Sequence, residues 1–216
     1  MELPFTIEAF FRVFADYNRA IGPMPVLAYL LGLAVVVLAW RPAPWAGRTI
    51  GGILAGFWLW MGIVYHGLFF APINPAAYAF GGLFVVQAAL LAWQSVIRDR
   101  LWFPPRRDPR AVVGWLAIAY ALLLYPLLGQ LAGHGYPRAP LFGVAPCPTT
   151  IFTLGLLLLA DRVPGSLWPI PLLWSLIGGT AAWLLAVPED LGLWAAGLAT
   201  IVLLLTDFRH GPSRNR

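Results

Sequence analysis

Charge is missing from long stretches of this chain, and that absence limits what it can fold into. Residues 21–40, 49–71, 76–97, 111–131, 141–160 and 166–187 contain no Asp, Glu, Lys or Arg, and 190–206 contains only Asp190, at its start. A helix crossing about 30 Å of hydrocarbon needs about 20 apolar residues. Seven membrane spans are therefore predicted, and the predicted fold class is an all-α polytopic membrane bundle. Continuous apolar runs such as Val26–Trp40 and Val112–Leu124 lack the in–out alternation of barrel strands. Composition agrees, with 11% charged and 60% hydrophobic residues against about 25% charged in a soluble domain. The weakest span is the fifth, 141–160, which Pro146 and Pro148 interrupt. Its uninterrupted part is short enough to suit a re-entrant segment as well as a crossing one.

The organisation that follows is an interfacial helix over 1–20, a single bundle over 21–207 and a cytoplasmic tail over 208–216. Thr6 is placed to cap the first helix. Phe10, Val13, Phe14, Tyr17 and Ile21 share one stripe, with Glu8, Arg12, Asp16 and Arg19 elsewhere, the pattern of a helix lying in the membrane interface. Eleven of the 14 Arg fall on one side if the N-terminus is outside. The positive-inside rule then puts the C-terminus in the cytoplasm. Trp40, Trp45, Tyr78, Trp102 and Trp168 lie near span ends, where aromatic residues anchor a bundle.

Several functions are excluded by what the chain lacks. It contains no Lys and one Cys, which removes a phosphate-loop lysine, Schiff-base chemistry and any internal disulfide. The Arg98–Arg110 run suits anionic lipid; nucleic acid is not an expected partner.

The polar groups available for chemistry are few. The orientation above puts His66, His134 and Cys147 on the non-cytoplasmic side. Pro148 suits the first position of a helix, making Cys147 its N-cap, where amide dipoles favour a thiolate. A thiolate and two imidazoles are a credible set for a soft metal ion, so His66, His134 and Cys147 are the candidate metal ligands. A wider ligand-binding set adds Tyr65, Asn74, Gln87, Thr149 and Thr150. Several of these residues have a structural alternative: Asn74 as an Asx turn, Gln87 as interhelical glue, Cys147 as a packing residue in a kink, His66 as a hydrogen-bonding partner of a neighbouring helix and His134 as a solvated loop residue. Glu189 and Asp190 read as an external turn.

The segments Leu3-Pro4-Phe5-Thr6, Trp58-Leu59-Trp60-Met61-Gly62-Ile63-Val64-Tyr65-His66, Phe70-Ala71-Pro72-Ile73-Asn74-Pro75-Ala76 and Cys147-Pro148-Thr149-Thr150-Ile151-Phe152-Thr153-Leu154-Gly155 resemble a bacterial integral-membrane family catalogued as domain of unknown function 6064. The resemblance implies a multi-span bacterial membrane protein and brings no activity with it. Richness in Ala, Gly and Pro with Arg-only cations suggests a high-GC bacterium and its inner membrane. The expected function is binding or transport of a small solute or soft metal ion in an outward-facing pocket at the start of the fifth span. Two other readings stay open. One is a membrane enzyme or redox protein, with His66 and His134 as haem ligands or Cys147 as a nucleophile; the other is a non-catalytic assembly or sensor subunit, which a homo-oligomer would suit. No catalytic residue is assigned.

Overall fold

Thr6 Oγ1 accepts a hydrogen bond from the Ala9 N–H at 3.2 Å and starts helix α1, Ile7–Ala20. The computed structural model describes residues 4–41 and 43–210, without the side chains of 207–210. The predicted tail, 208–216, therefore lies outside the described residues except for the backbone of 208–210, which continues the last helix. After α1 come α2 (Met24–Trp40), α3 (Ala46–Trp60) and α4 (Ala77–Leu91). A wider π-helical segment, Met61–Phe70, prolongs α3. Helices α5 (Pro109–Ala119) and α6 (Tyr125–Leu131) form one rod through a π turn. Then follow α7 (Pro146–Leu159), α8 (Pro169–Leu184) and α9 (Gly192–His210). Among the described residues there is no strand, only an isolated bridge between Trp102 and Asp161.

By length and composition, fewer than the seven expected spans stand out among the described residues. Five helical stretches are long and apolar enough to cross a membrane: Ala46–Phe70, Ala77–Ile97, Pro109–Leu131, Gly165–Leu184 and Pro188–Thr206. A sixth exists only if α1 and α2, bent by 86°, are taken together. Helix α7 has 14 residues, about 21 Å at 1.5 Å per residue, and falls short of the hydrocarbon thickness. Every one of those residues is buried, so protein surrounds α7 on all sides. Close approach makes this possible on the α5 face: a Cβ on Gly155 would sit 2.7 Å from the Gly114 carbonyl oxygen. Hydroxyls supply the rest of the fit. Trp58 Nε1 donates to Thr153 Oγ1 at 3.0 Å, and Thr153 donates to the Thr149 carbonyl at 2.7 Å.

Helix α1 is held to the bundle at several points. Asn18 Nδ2 donates to the carbonyls of Pro137 and Ala139 at 2.7 and 2.8 Å. Tyr17 Oη donates to the Val144 carbonyl and accepts from Trp60 Nε1. Phe11 packs with Ala182, Leu185 and Val187 at the end of α8. The predicted stripe is thus broader than expected, because Phe11 and Asn18 are buried as well. Of the predicted anchors, Trp40, Trp45, Tyr78 and Trp102 are exposed, whereas Trp168 is buried.

Candidate functional site

The chain is most unusual where α8 turns into α9. Ala186 adopts a left-handed φ of 53°, and the 3-10 turn Pro188–Leu191 follows. This turn carries Glu189 and Asp190, which are 0% and 3% exposed. The turn lies between two long helices, as expected, but both carboxylates are inside the protein. What covers them comes from distant parts of the chain. At the end of α6, Gly133 takes a φ of 84° and returns the chain, a conformation glycine adopts readily beyond a helix C-terminus. His134 then reaches back, with Nδ1 2.8 Å from Glu189 Oε1, and stacks on Phe11 at 4.2 Å between ring centroids. Gly129 leaves the room that Glu189 occupies, since a Cβ there would meet Oε1 at 3.2 Å. Tyr120 Oη donates to the Glu189 carbonyl at 2.8 Å, and Tyr125 Oη donates to Asp190 Oδ1. Cys147 brings its thiol to the same carboxylate and to Trp174.

Two concavities flank this turn. One is a polar cleft of about 560 Å³, formed by Glu8, Arg12, Asp16 and Arg19 of α1 with His134 and Arg138. The other is an apolar cavity of about 330 Å³ between α1, the π-helical segment and α8. Its aromatic wall includes Phe10, Phe14, Tyr65, Phe70 and Trp174, and Cys147 and Asp190 lie on its surface. Phe14 stacks on Tyr65 at 5.2 Å, and Tyr65 on Phe70 at 5.7 Å. The Trp174 indole is buried there beside the Cys147 sulfur.

The structure gathers part of the sequence-derived set. Tyr65, Asn74 and Cys147 line the apolar cavity, and Asn74 also makes the expected Asx turn, accepting from the Ala76 N–H at 3.2 Å. His66 lies behind that wall, 0% exposed, among Phe70, Phe80, Phe84 and Trp174, with neither ring nitrogen hydrogen-bonded. Thr149 is committed to structure: its hydroxyl accepts from the Gly143 N–H and donates to the Ala145 carbonyl. Thr150 is buried with its hydroxyl unpartnered. Gln87 acts as glue, donating to the Leu167 carbonyl at 3.2 Å. The α7 N-cap is Ala145, with Pro146 at the first position. Cys147 is therefore one residue inside the helix, and a second negative charge beside Asp190 would be costly, so the expected thiolate finds no support.

Among the described residues, no group of three or more His, Cys, Asp or Glu side chains is placed to hold a metal ion. His66 sits in an aromatic pocket and His134 on Glu189 and Phe11, so the two imidazoles and the thiol do not share one centre. The same separation tells against the two rings as axial ligands of one haem, since the apolar cavity is lined by neither ring and the polar cleft by His134 alone.

The model of a family of unknown function, DUF6064, matches residues 7–214. The chain belongs to that family. No curated protein and no solved structure matches it. Membership brings no activity with it and leaves the chemistry to be argued from the site. Sequence reasoning missed Glu189, Asp190, Tyr120, Tyr125 and Trp174. One signal was available: two adjacent carboxylates lie in a stretch, 163–206, that contains no Arg. In a chain of net charge +5, that leaves the pair without a nearby counter-charge in sequence.

Proposed function

We propose that this membrane protein binds, and carries, a small lipophilic cation in the apolar cavity. One observation carries the reading: a nearly buried carboxylate, Asp190, faces an otherwise apolar, aromatic-walled space. An ionised carboxyl in such a place is stabilised by a cation, and aromatic faces add further attraction for positive charge. The volume suits a compact ligand, being at the low end of small-molecule sites. Leu176 and Leu184 on the rim are exposed, which supports entry from the lipid side. The arginine bias of the sequence puts this end of the bundle on the non-cytoplasmic side, in keeping with a bacterial inner-membrane protein.

The test is equilibrium binding of radiolabelled tetraphenylphosphonium to protein purified in detergent. Saturable binding to the wild type is expected. Asp190→Asn weakens it at least tenfold. Ala181→Trp, which puts a bulky ring on a cavity-lining position of α8, abolishes it. Absence of saturable binding, or equal affinity in all three proteins, refutes the reading.

A further inference from the structure

The buried acidic turn lines one concavity through Asp190 and is linked to the other through His134. His134 lines the polar cleft, Asp190 lines the apolar cavity, and Glu189 joins them: it pairs with His134 and precedes Asp190 in the chain. Charge accounting shows what such a turn must hold. Among the described residues, the group within ion-pair distance of either carboxylate that can become cationic is His134. With His134 protonated and both carboxylates ionised, one negative charge stays buried and uncompensated. That arrangement costs several kcal/mol, which a bound proton removes. Glu189 Oε2 is buried with no hydrogen-bond partner, so the proton has an open atom to occupy.

The other groups facing the pair do not alter this. Tyr120 and Tyr125 from the α5–α6 rod, Cys147 from α7 and Tyr65 from the π-helical segment are neutral or become anionic. Across the cleft, α1 presents Glu8, Arg12, Asp16 and Arg19, and the loop adds Arg138. Arg19 is engaged with Asp16 at 3.7 Å.

We infer that His134, Glu189 and Asp190 form a proton-exchange site. Protons enter from the polar cleft at His134, pass to Glu189 and reach Asp190 at the cavity wall. There, a proton and the lipophilic cation compete for the same carboxylate. This rests on the proposed cation binding for its coupling, but not for the existence of the proton site. The exchange balances: when the cation enters, the acid O–H bond breaks, its electron pair stays on the carboxylate, and the proton leaves through Glu189 and His134 to water in the cleft. One positive charge replaces another.

Two measurements separate this inference from the proposed function. Infrared spectra of the ligand-free protein should show the carbonyl stretch of a protonated carboxylic acid at neutral pH. Asp190→Asn and Glu189→Gln should each remove or shift that band, and His134→Ala should slow its shift on transfer to deuterated buffer. A wild type with no such band, or a band untouched in both carboxylate variants, overturns the proton site whatever the protein binds. For the coupling, tetraphenylphosphonium affinity should rise by about tenfold per pH unit across the titration of the site, as competition with one proton requires. A pH indicator in weak buffer should record one proton released per cation bound. Binding that is saturable but independent of pH, with no proton released, overturns the coupling and leaves the cation reading intact.

Discussion

Asn18 offers a sharp test of how α1 is attached. Its side-chain amide is 0% exposed and donates two hydrogen bonds, 2.7 and 2.8 Å long, to the carbonyls of Pro137 and Ala139. A buried hydrogen bond contributes about 1 kcal/mol net, and an orphaned acceptor costs about 1–3 kcal/mol more. One term offsets this, since Asn18 Oδ1 is itself buried without a partner and truncation removes that penalty. Asn18→Ala should therefore weaken docking of α1 by about 2 kcal/mol, or about 30-fold in the equilibrium for its release. Hydrogen–deuterium exchange reads this directly: amides of residues 10–20 should exchange about 30-fold faster while those of α7 are unchanged. Asn18→Asp should be worse than Ala, because it points a carboxylate at two carbonyl oxygens and buries its charge. If α1 exchanges at the wild-type rate in the Ala variant, or if Asp is milder than Ala, the two hydrogen bonds do not hold the helix and the reasoning fails.

Three other perturbations probe separate parts of the structure. Thr153→Val keeps the shape of the side chain but strands the Trp58 indole N–H, which now bonds to the hydroxyl at 3.0 Å; a loss of about 1–3 kcal/mol in unfolding free energy is expected, and steric trapping in bicelles would measure it. Ala186→Gly should stabilise the protein by up to about 1–2 kcal/mol, since a left-handed φ is costly for any residue with a Cβ; a fall in melting temperature would contradict this. Asp108 accepts from the Ala111 N–H at 2.9 Å and caps α5, so Asp108→Ala should cost about 1 kcal/mol. Burial alone would raise the Asp108 carboxyl, but hydrogen bonds from Arg106 and the Ala111 N–H, with the charges of Arg106 and Arg110, bring it below its ordinary value. Its contribution is therefore present above the unfolded carboxyl's range, about pH 4, and fades as pH falls through the lower folded value. Melting curves of the wild type and the variant should converge on that acid side.

Much of the frame could be read from one sequence. Uncharged runs locate the long helices to within a few residues at most ends, and Thr6 caps the first as its spacing implies. Pro146 and Pro148 flagged α7 as the odd element, and enclosure by other helices is what allows it to be short. The site was less legible, for a physical reason. A carboxylate at a span end looks solvated unless one knows what folds over it, and here His134 reaches Glu189 across 55 residues of chain and Tyr125 reaches Asp190 across 65. Spacing gives depth along a helix but not the direction in which a helix faces its neighbours. His66 and Cys147 both stand beside Trp174, a neighbour that spacing along the chain does not give.

The enclosure of α7 also bears on how the chain is made. Its neighbours include α5, synthesised before it, and α8 and α9, synthesised after it. A ribosome that has just released residues 146–159 has delivered a segment shorter than the hydrocarbon thickness and without the walls that α8 and α9 supply. The segment can settle only when α8 and α9 arrive. Chains truncated after residue 164 should consequently be prey for membrane quality-control proteases, although every earlier helix is intact.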